Sequence, residues 1–112
     1  MDCIFCSIIK GEIPSTKVYE DEYTYAFRDI HPQAPVHILV IPKEHIASCG
    51  VITKENSYLA AHCFETIAKI AEQEKLDAGF RVISNCGKDA GQTVEHLHFH
   101  VLAGTPMGEK ML

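Results

Sequence analysis

The sequence predicts an α+β domain: a five-stranded antiparallel sheet with one long and one short helix. Three observations carry this. Residues 54–76 repeat apolar side chains at helical spacing, several shorter runs are rich in β-branched and aromatic residues, and His96 to Leu102 sets three histidines in alternation with apolar residues.

Taken in order, residues 3–10 place Ile4, Phe5, Ile8 and Ile9 at helical spacing and stop at Gly11, a short N-terminal helix within 1–11. Cys3 and Cys6, three apart, share one face of it, as core filling or as half of a metal site. After the turn Glu12-Ile13-Pro14-Ser15, residues 17–20 and 23–28 read as a hairpin joined across Asp21-Glu22. The stretch from Asp29 and Ile30 to Pro35 holds two prolines, which lack the N–H a helix or ladder needs, and reads as an ordered loop. Residues 36–42 are the most apolar run, hence a central strand covered on both faces, with His37 its polar exception. Thr53 and Asn56 are candidate caps for the long helix, whose Leu59, Cys63, Ile67 and Ile70 recur at steps of four and three, supported by Phe64 and Ala71. His62 falls on its polar face, Lys75 favours the dipole near its end, and Asp77-Ala78-Gly79 stops it. Residues 80–84 form a strand, 85–91 a turn-rich connection into the histidine strand, and 105–112 a C-terminal tail.

A chain of 112 residues, 46% hydrophobic and 22% charged, has room for one globular domain and no second. A net charge of −5 without any Lys/Arg cluster argues against DNA, long RNA or an anionic membrane as partner, since those require phosphate neutralisation. Met1-Asp2-Cys3 does not resemble a signal peptide, no run approaches a membrane span, and five cysteines, an odd number, read as reduced thiols; the expectation is a cytoplasmic protein. Cys49, Cys63 and Cys86 are isolated in sequence and are assigned no chemistry.

In a strand, His96, His98 and His100 project from one face, about 7 Å apart in succession, while Leu97, Phe99 and Val101 face the core. Three imidazoles plus water can be a catalytic zinc set, or the central histidine can attack phosphorus. Gly91-Gln92-Thr93, a glycine-led loop whose N–H groups can cradle a phosphate, favours the second reading, with no metal required for the chemistry. His98 then needs its other ring nitrogen held as N–H by an acceptor such as a backbone carbonyl. His100 and Thr93 would donate to phosphate oxygens, and His37 would lie on the adjacent strand within relay distance.

These residues resemble the histidine triad (HIT) family, whose His-x-His-x-His motif followed by two apolar residues is matched by His96 to Leu102. Ile4-Phe5, Gly11-Glu12-Ile13-Pro14, Ala26-Phe27-Arg28-Asp29-Ile30, Pro32-Gln33-Ala34-Pro35, His37, Val40-Ile41-Pro42-Lys43 and Gly91-Gln92-Thr93-Val94 look like its Hint branch, so that the likeness covers about residues 2–104 of a single HIT domain, 1–112. The resemblance implies a nucleoside phosphoramidase that binds purine nucleotides such as AMP or GMP, or their phosphoramidates, and forms a nucleotidyl-histidine intermediate on His98. By the same matching Asp29 would bind ribose hydroxyls, Ile4, Phe5, Ile8 and Ile30 would wall the base, and Asn85, Gly91, Gln92, Thr93 and His100 would hold ribose and phosphate. Simple core is the other reading of Ile4, Phe5 and Ile8. Thr93 stands where Hint proteins usually have serine, and threonine there is also seen in the dinucleoside polyphosphate hydrolase branch; Val101-Leu102-Ala103-Gly104 resembles the Hint ending and lacks that branch's Pro-Arg. A phosphoramidase, a dinucleoside polyphosphate hydrolase and a nucleotide-binding regulatory module with incidental turnover all remain open.

Two further expectations accompany the resemblance. Cys3 and Cys6 have the spacing of half a zinc site, and His45 and His96 can complete it, as in some bacterial HIT proteins; four such ligands close the coordination sphere, so the zinc would be structural. The alternative is two buried thiols and a surface His45. The family resemblance, with a small sheet whose edges would otherwise stay open, implies a homodimer built on the long helix and one sheet edge.

Overall fold

The computed structural model describes residues 3–112 and contains the five strands, β1 (Lys17–Glu20), β2 (Thr24–Arg28), β3 (Val36–Pro42), β4 (Phe80–Ile83) and β5 (Phe99–Ala103), with helices α1 (Ile4–Ile9) and α2 (Ser57–Gln73). They form one sheet in the order β1-β2-β3-β5-β4, each neighbouring pair antiparallel. Among the described residues no helix is long and apolar enough to cross a membrane.

Period-2 alternation sorts the side chains onto two cores. Ile38 and Val40 of β3 join Ala26, Phe99 and Val101 against Cys63, Ile67 and Ile70 of α2, while Leu39 and Ile41 turn the other way to meet Tyr25, Phe27 and Phe5 and Ile8 of α1. β3 is therefore covered on both faces, as its composition predicts. A buried hydrogen bond between the hydroxyls of Thr24 and Thr66, 2.6 Å, ties β2 to α2 without leaving either polar group unsatisfied.

The hairpin turn rests on Asp21, whose Oδ1 accepts the N–H groups of Tyr23 and Thr24 at 2.9 Å each, so β2 starts at Thr24, one residue after the predicted start. Cys3 caps α1, its thiol accepting the Cys6 N–H, and past the C-cap Lys10 the chain turns away at Gly11, φ +80°.

α2 is shorter than the 54–76 its periodicity predicts. Asn56 holds the N-cap position but its side chain makes no cap bond, and Thr53 lies outside the helix: the Thr53 hydroxyl accepts the Glu55 N–H, and Asn56 Oδ1 accepts the Thr53 N–H, closing a turn before the helix. At the other end Lys75 adopts φ +57°, and the Leu76 N–H returns to the Ala71 carbonyl; the stop is this left-handed residue and not Asp77-Ala78-Gly79. Phe64, counted with the apolar stripe, is half exposed at its margin.

The histidine strand also departs from expectation. β5 pairs with β3 only from Phe99, opposite Val40. Beyond that point the Leu97 N–H bonds the Ile46 carbonyl and His96 Nε2–H donates to the Pro42 carbonyl, 2.9 Å, so residues 94–98 leave the ladder. Leu97 keeps its predicted place in the α2 core, but the row of three imidazoles is broken.

Candidate functional site

The face of the sheet turned toward α1 holds a cavity of about 250 Å³ whose walls include His98, His100, Thr93, Asp29, Ile4 and Ile30, with Phe5, Ile8 and Leu39 among the apolar remainder. Ile30 and Ile4 are exposed large apolar side chains at this cavity, 84% and 48% accessible, a position that suits a flat aromatic ligand better than a core. His96, Asn85, Gly91 and Gln92 are not among its walls. The Gln92 amide is committed elsewhere: it donates to the Ala47 and Val94 carbonyls and accepts the Gly87 N–H. The N–H groups of Gly91 and Gln92 likewise close the loop onto Lys88 and Gly87, so that of this loop Thr93 reaches the cavity wall and they do not.

Hydrogen-bond direction fixes what each imidazole offers the cavity. His98 Nδ1 lies 2.7 Å from the His96 carbonyl, which can only accept, so Nδ1 carries the hydrogen and Nε2 keeps its lone pair. His37 Nδ1 accepts the Gln33 N–H at 3.0 Å, so its hydrogen sits on Nε2 and is donated to His100 Nδ1 at 2.9 Å. His100 therefore carries its own hydrogen on Nε2. Asp29 stands beside this link, a carboxylate oxygen 3.4 Å from the same His37 Nε2 and farther from it than His100 Nδ1. The two rings next to each other, 5.2 Å between centroids, thus have opposite character: His98 a lone pair, His100 a donor.

Burial holds His100 down to about 4, helped by the positive fields that protonated His98 and His37 would exert, and it lowers His37 as well against the pull of Asp29. Both are neutral near pH 7, as the donor chain requires. Because the unfolded chain would take up a proton on His100 near pH 6.5, the stability this group contributes is complete above that pH and lost as pH falls toward 4. Urea unfolding at pH 7, 5.5 and 4.5 should show that loss, and His100→Gln should show a shallower one; equal slopes would refute it.

Four other predicted residues meet on the far side of Phe5. Cys3, Cys6, His45 and His96 bring one ligand atom each within 4.8 Å of one another: Cys3 Sγ to His96 Nδ1 3.3 Å, Cys6 Sγ to His45 Nδ1 3.5 Å, Cys6 Sγ to His96 Nδ1 3.7 Å, and the two Nδ1 atoms 3.2 Å apart. Tetrahedral zinc with sulfur and nitrogen ligands has edges of roughly 3.3–3.8 Å. The donor set therefore fits that ion. His96 presents Nδ1 as a lone pair because Nε2–H is held by Pro42, and burial keeps the ring neutral, with its pKa pushed down to about 4. Phe5 stands edge-on to both His96 and His98, with centroids at 5.9 and 5.2 Å, and so separates this cluster from the cavity.

Sequence reasoning missed the supports. Ser84 donates its hydroxyl to the His98 carbonyl at 2.8 Å, and Ser15 and Arg28 join the cavity walls. A lone serine after a strand carries no signal of this; only the long-range pairing of β4 with β5 creates it.

A family model described as HIT domain matches residues 10–107. A purine nucleoside phosphoramidase of Escherichia coli is 44% identical over 108 residues, 96% of this chain and 91% of that protein. A 14 kDa zinc-binding protein of Brassica juncea is 45% identical over 108 residues, 95% of this chain and 96% of its own length. Among solved structures, a HIT family hydrolase from Clostridium thermocellum superposes with a TM-score of 0.97 at 50% identity, covering 99% of this chain and 97% of that one.

Proposed function

Since the chain belongs to the HIT domain family, we propose that it is a nucleotide hydrolase, a purine nucleoside 5′-phosphoramidase that works through a nucleotidyl-histidine intermediate. The observation that carries this is the His98 Nδ1–H bond to the His96 carbonyl, which leaves a nucleophilic Nε2 at a cavity wall beside a donor imidazole.

The purine lies against Ile4, Phe5, Ile8 and Ile30, the ribose hydroxyls meet Asp29, and the α-phosphate comes to Thr93, His98 and His100. His98 Nε2 attacks phosphorus, the bond to the leaving amine breaks, and His100 Nε2–H with the Thr93 hydroxyl stabilises the charge developing on the oxygens. Water then releases the nucleotide and restores the His98 lone pair. His37 keeps His100 in its donor form. His96, turned away from the cavity, joins Cys3, Cys6 and His45 in holding a structural zinc that ties α1 to the segment leading into β5; the ion takes no part in bond breaking. The working unit is a homodimer.

Steady-state rates on adenosine 5′-phosphoramidate and on diadenosine polyphosphates test the reading. The phosphoramidate should be the faster substrate. Faster cleavage of the dinucleotides would favour the polyphosphate hydrolase that Thr93 leaves open, and AMP binding without turnover of either would mark a regulatory binding module.

A further inference from the structure

Two cysteines with no assigned chemistry lie together at the surface. Cys49 opens a turn of 3-10 helix, Cys49–Val51, whose preceding residue Ser48 is buried and accepts the Gly50 N–H on its hydroxyl at 3.2 Å. Cys86 follows β4, and its Sγ lies 3.3 Å from that same hydroxyl. A Cβ built on Gly50 would come within 2.8 Å of Cys86 Sγ, so the sulfur rests directly against the Cys49–Gly50 backbone and glycine is what lets it approach. Both thiols are exposed. The segments that bear them are already laced by Gln92, which donates to Ala47 on one side and accepts from Gly87 on the other.

We infer that Cys86 and Cys49 form a thiol–disulfide exchange site for small-molecule disulfides, with Cys86 as the attacking and Cys49 as the resolving sulfur. Cys86 thiolate attacks one sulfur of the disulfide RSSR, forming a mixed disulfide and expelling RS⁻. Cys49 thiolate then attacks Cys86 Sγ, expelling a second RS⁻ and closing the Cys49–Cys86 bond; two protein thiols are oxidised and RSSR is reduced to two RSH. The order follows from the surroundings. The Ser48 hydroxyl, the Gly50 N–H and the Cys49 thiol all stabilise negative charge on Cys86 and lower its pKa, whereas buried Cys63 is pushed up to about 12 and stays inert.

The test is glutathione disulfide added to the protein with zinc supplied in the buffer, followed by peptide mass mapping. Wild type should give a Cys49–Cys86 cross-link, reversed by dithiothreitol, with Cys63 unmodified. Cys49→Ser should stall with one glutathionyl group on Cys86, Cys86→Ser should react about tenfold more slowly, and Ser48→Ala should move the half-maximal pH of Cys86 labelling upward. Glutathionylation of each exposed thiol without a cross-link, first labelling of Cys49 in wild type, or a Ser48→Ala profile identical to wild type would overturn it.

Discussion

His98→Ala is expected to lower phosphoramidate turnover on the order of 10⁴-fold or more, the scale on which loss of an attacking nucleophile acts, while AMP still binds within a few-fold of its wild-type affinity. The expectation follows from hydrogen-bond direction: of the two imidazoles at the cavity wall, only His98 presents a ring-nitrogen lone pair, because its Nδ1–H is held by a carbonyl two residues earlier. His100, held as a donor by His37, cannot replace it. His100→Ala and Thr93→Ala should each cost about tenfold to a thousandfold, as the loss of one transition-state donor does. Retained AMP binding by calorimetry separates lost chemistry from a lost fold, which matters because His98 is itself buried. An alanine variant that kept more than a few per cent of the wild-type rate would remove His98 from the nucleophile's role.

Replacing Cys3 and Cys6 together by serine should empty the four-ligand cluster and lower the melting temperature by roughly 10–30 °C. A ligand present at 100 to 1,000 times its Kd stabilises by about 2.7–4.1 kcal/mol, and each kcal/mol is worth about 4–8 °C in a domain near this size. The effect should reach the cavity through Phe5, which α1 carries and which sits edge-on to His98, so KM should rise more than kcat falls. Metal analysis of protein purified without an affinity tag should find close to one zinc per chain. A metal-free wild type, or a double variant with unchanged metal content and melting temperature, would sink the zinc site and leave His98 untouched.

What could be read from the residues depended on the range over which the determining force acts. The parity of Leu97 against His98, the covered faces of β3 and the place of His37 beside β5 follow from alternation and hydrophobicity, which are local and strong. Alternation does not extend to His96, because the chain leaves the ladder where Pro42 and Ile46 offer their carbonyls, and a partner's geometry is invisible in a strand's own sequence. The start of α2 departs for the opposite reason: Asn56 Oδ1 takes the Thr53 N–H and the Thr53 hydroxyl takes the Glu55 N–H, local bonds that compete with capping and that spacing does not resolve. Cys-x-x-Cys spacing and family likeness together point to the meeting of Cys3 with His96, while no motif marks the approach of Cys86 to the Ser48–Gly50 segment that bears Cys49, which only the fold creates.

The orientation of the cavity's donors and acceptors begins at one main-chain amide. Gln33 N–H points at His37 Nδ1, and from that fixed donor each later link takes its sense: His37 gives to His100, and His100 gives to whatever enters the cavity. An amide hydrogen cannot reverse its role as a hydroxyl or an imidazole can, so the arrangement has a built-in polarity that no change of the Gln33 side chain would disturb. Only an imino acid at that position, such as the Pro32 that precedes it, would erase the reference and let both rings turn over.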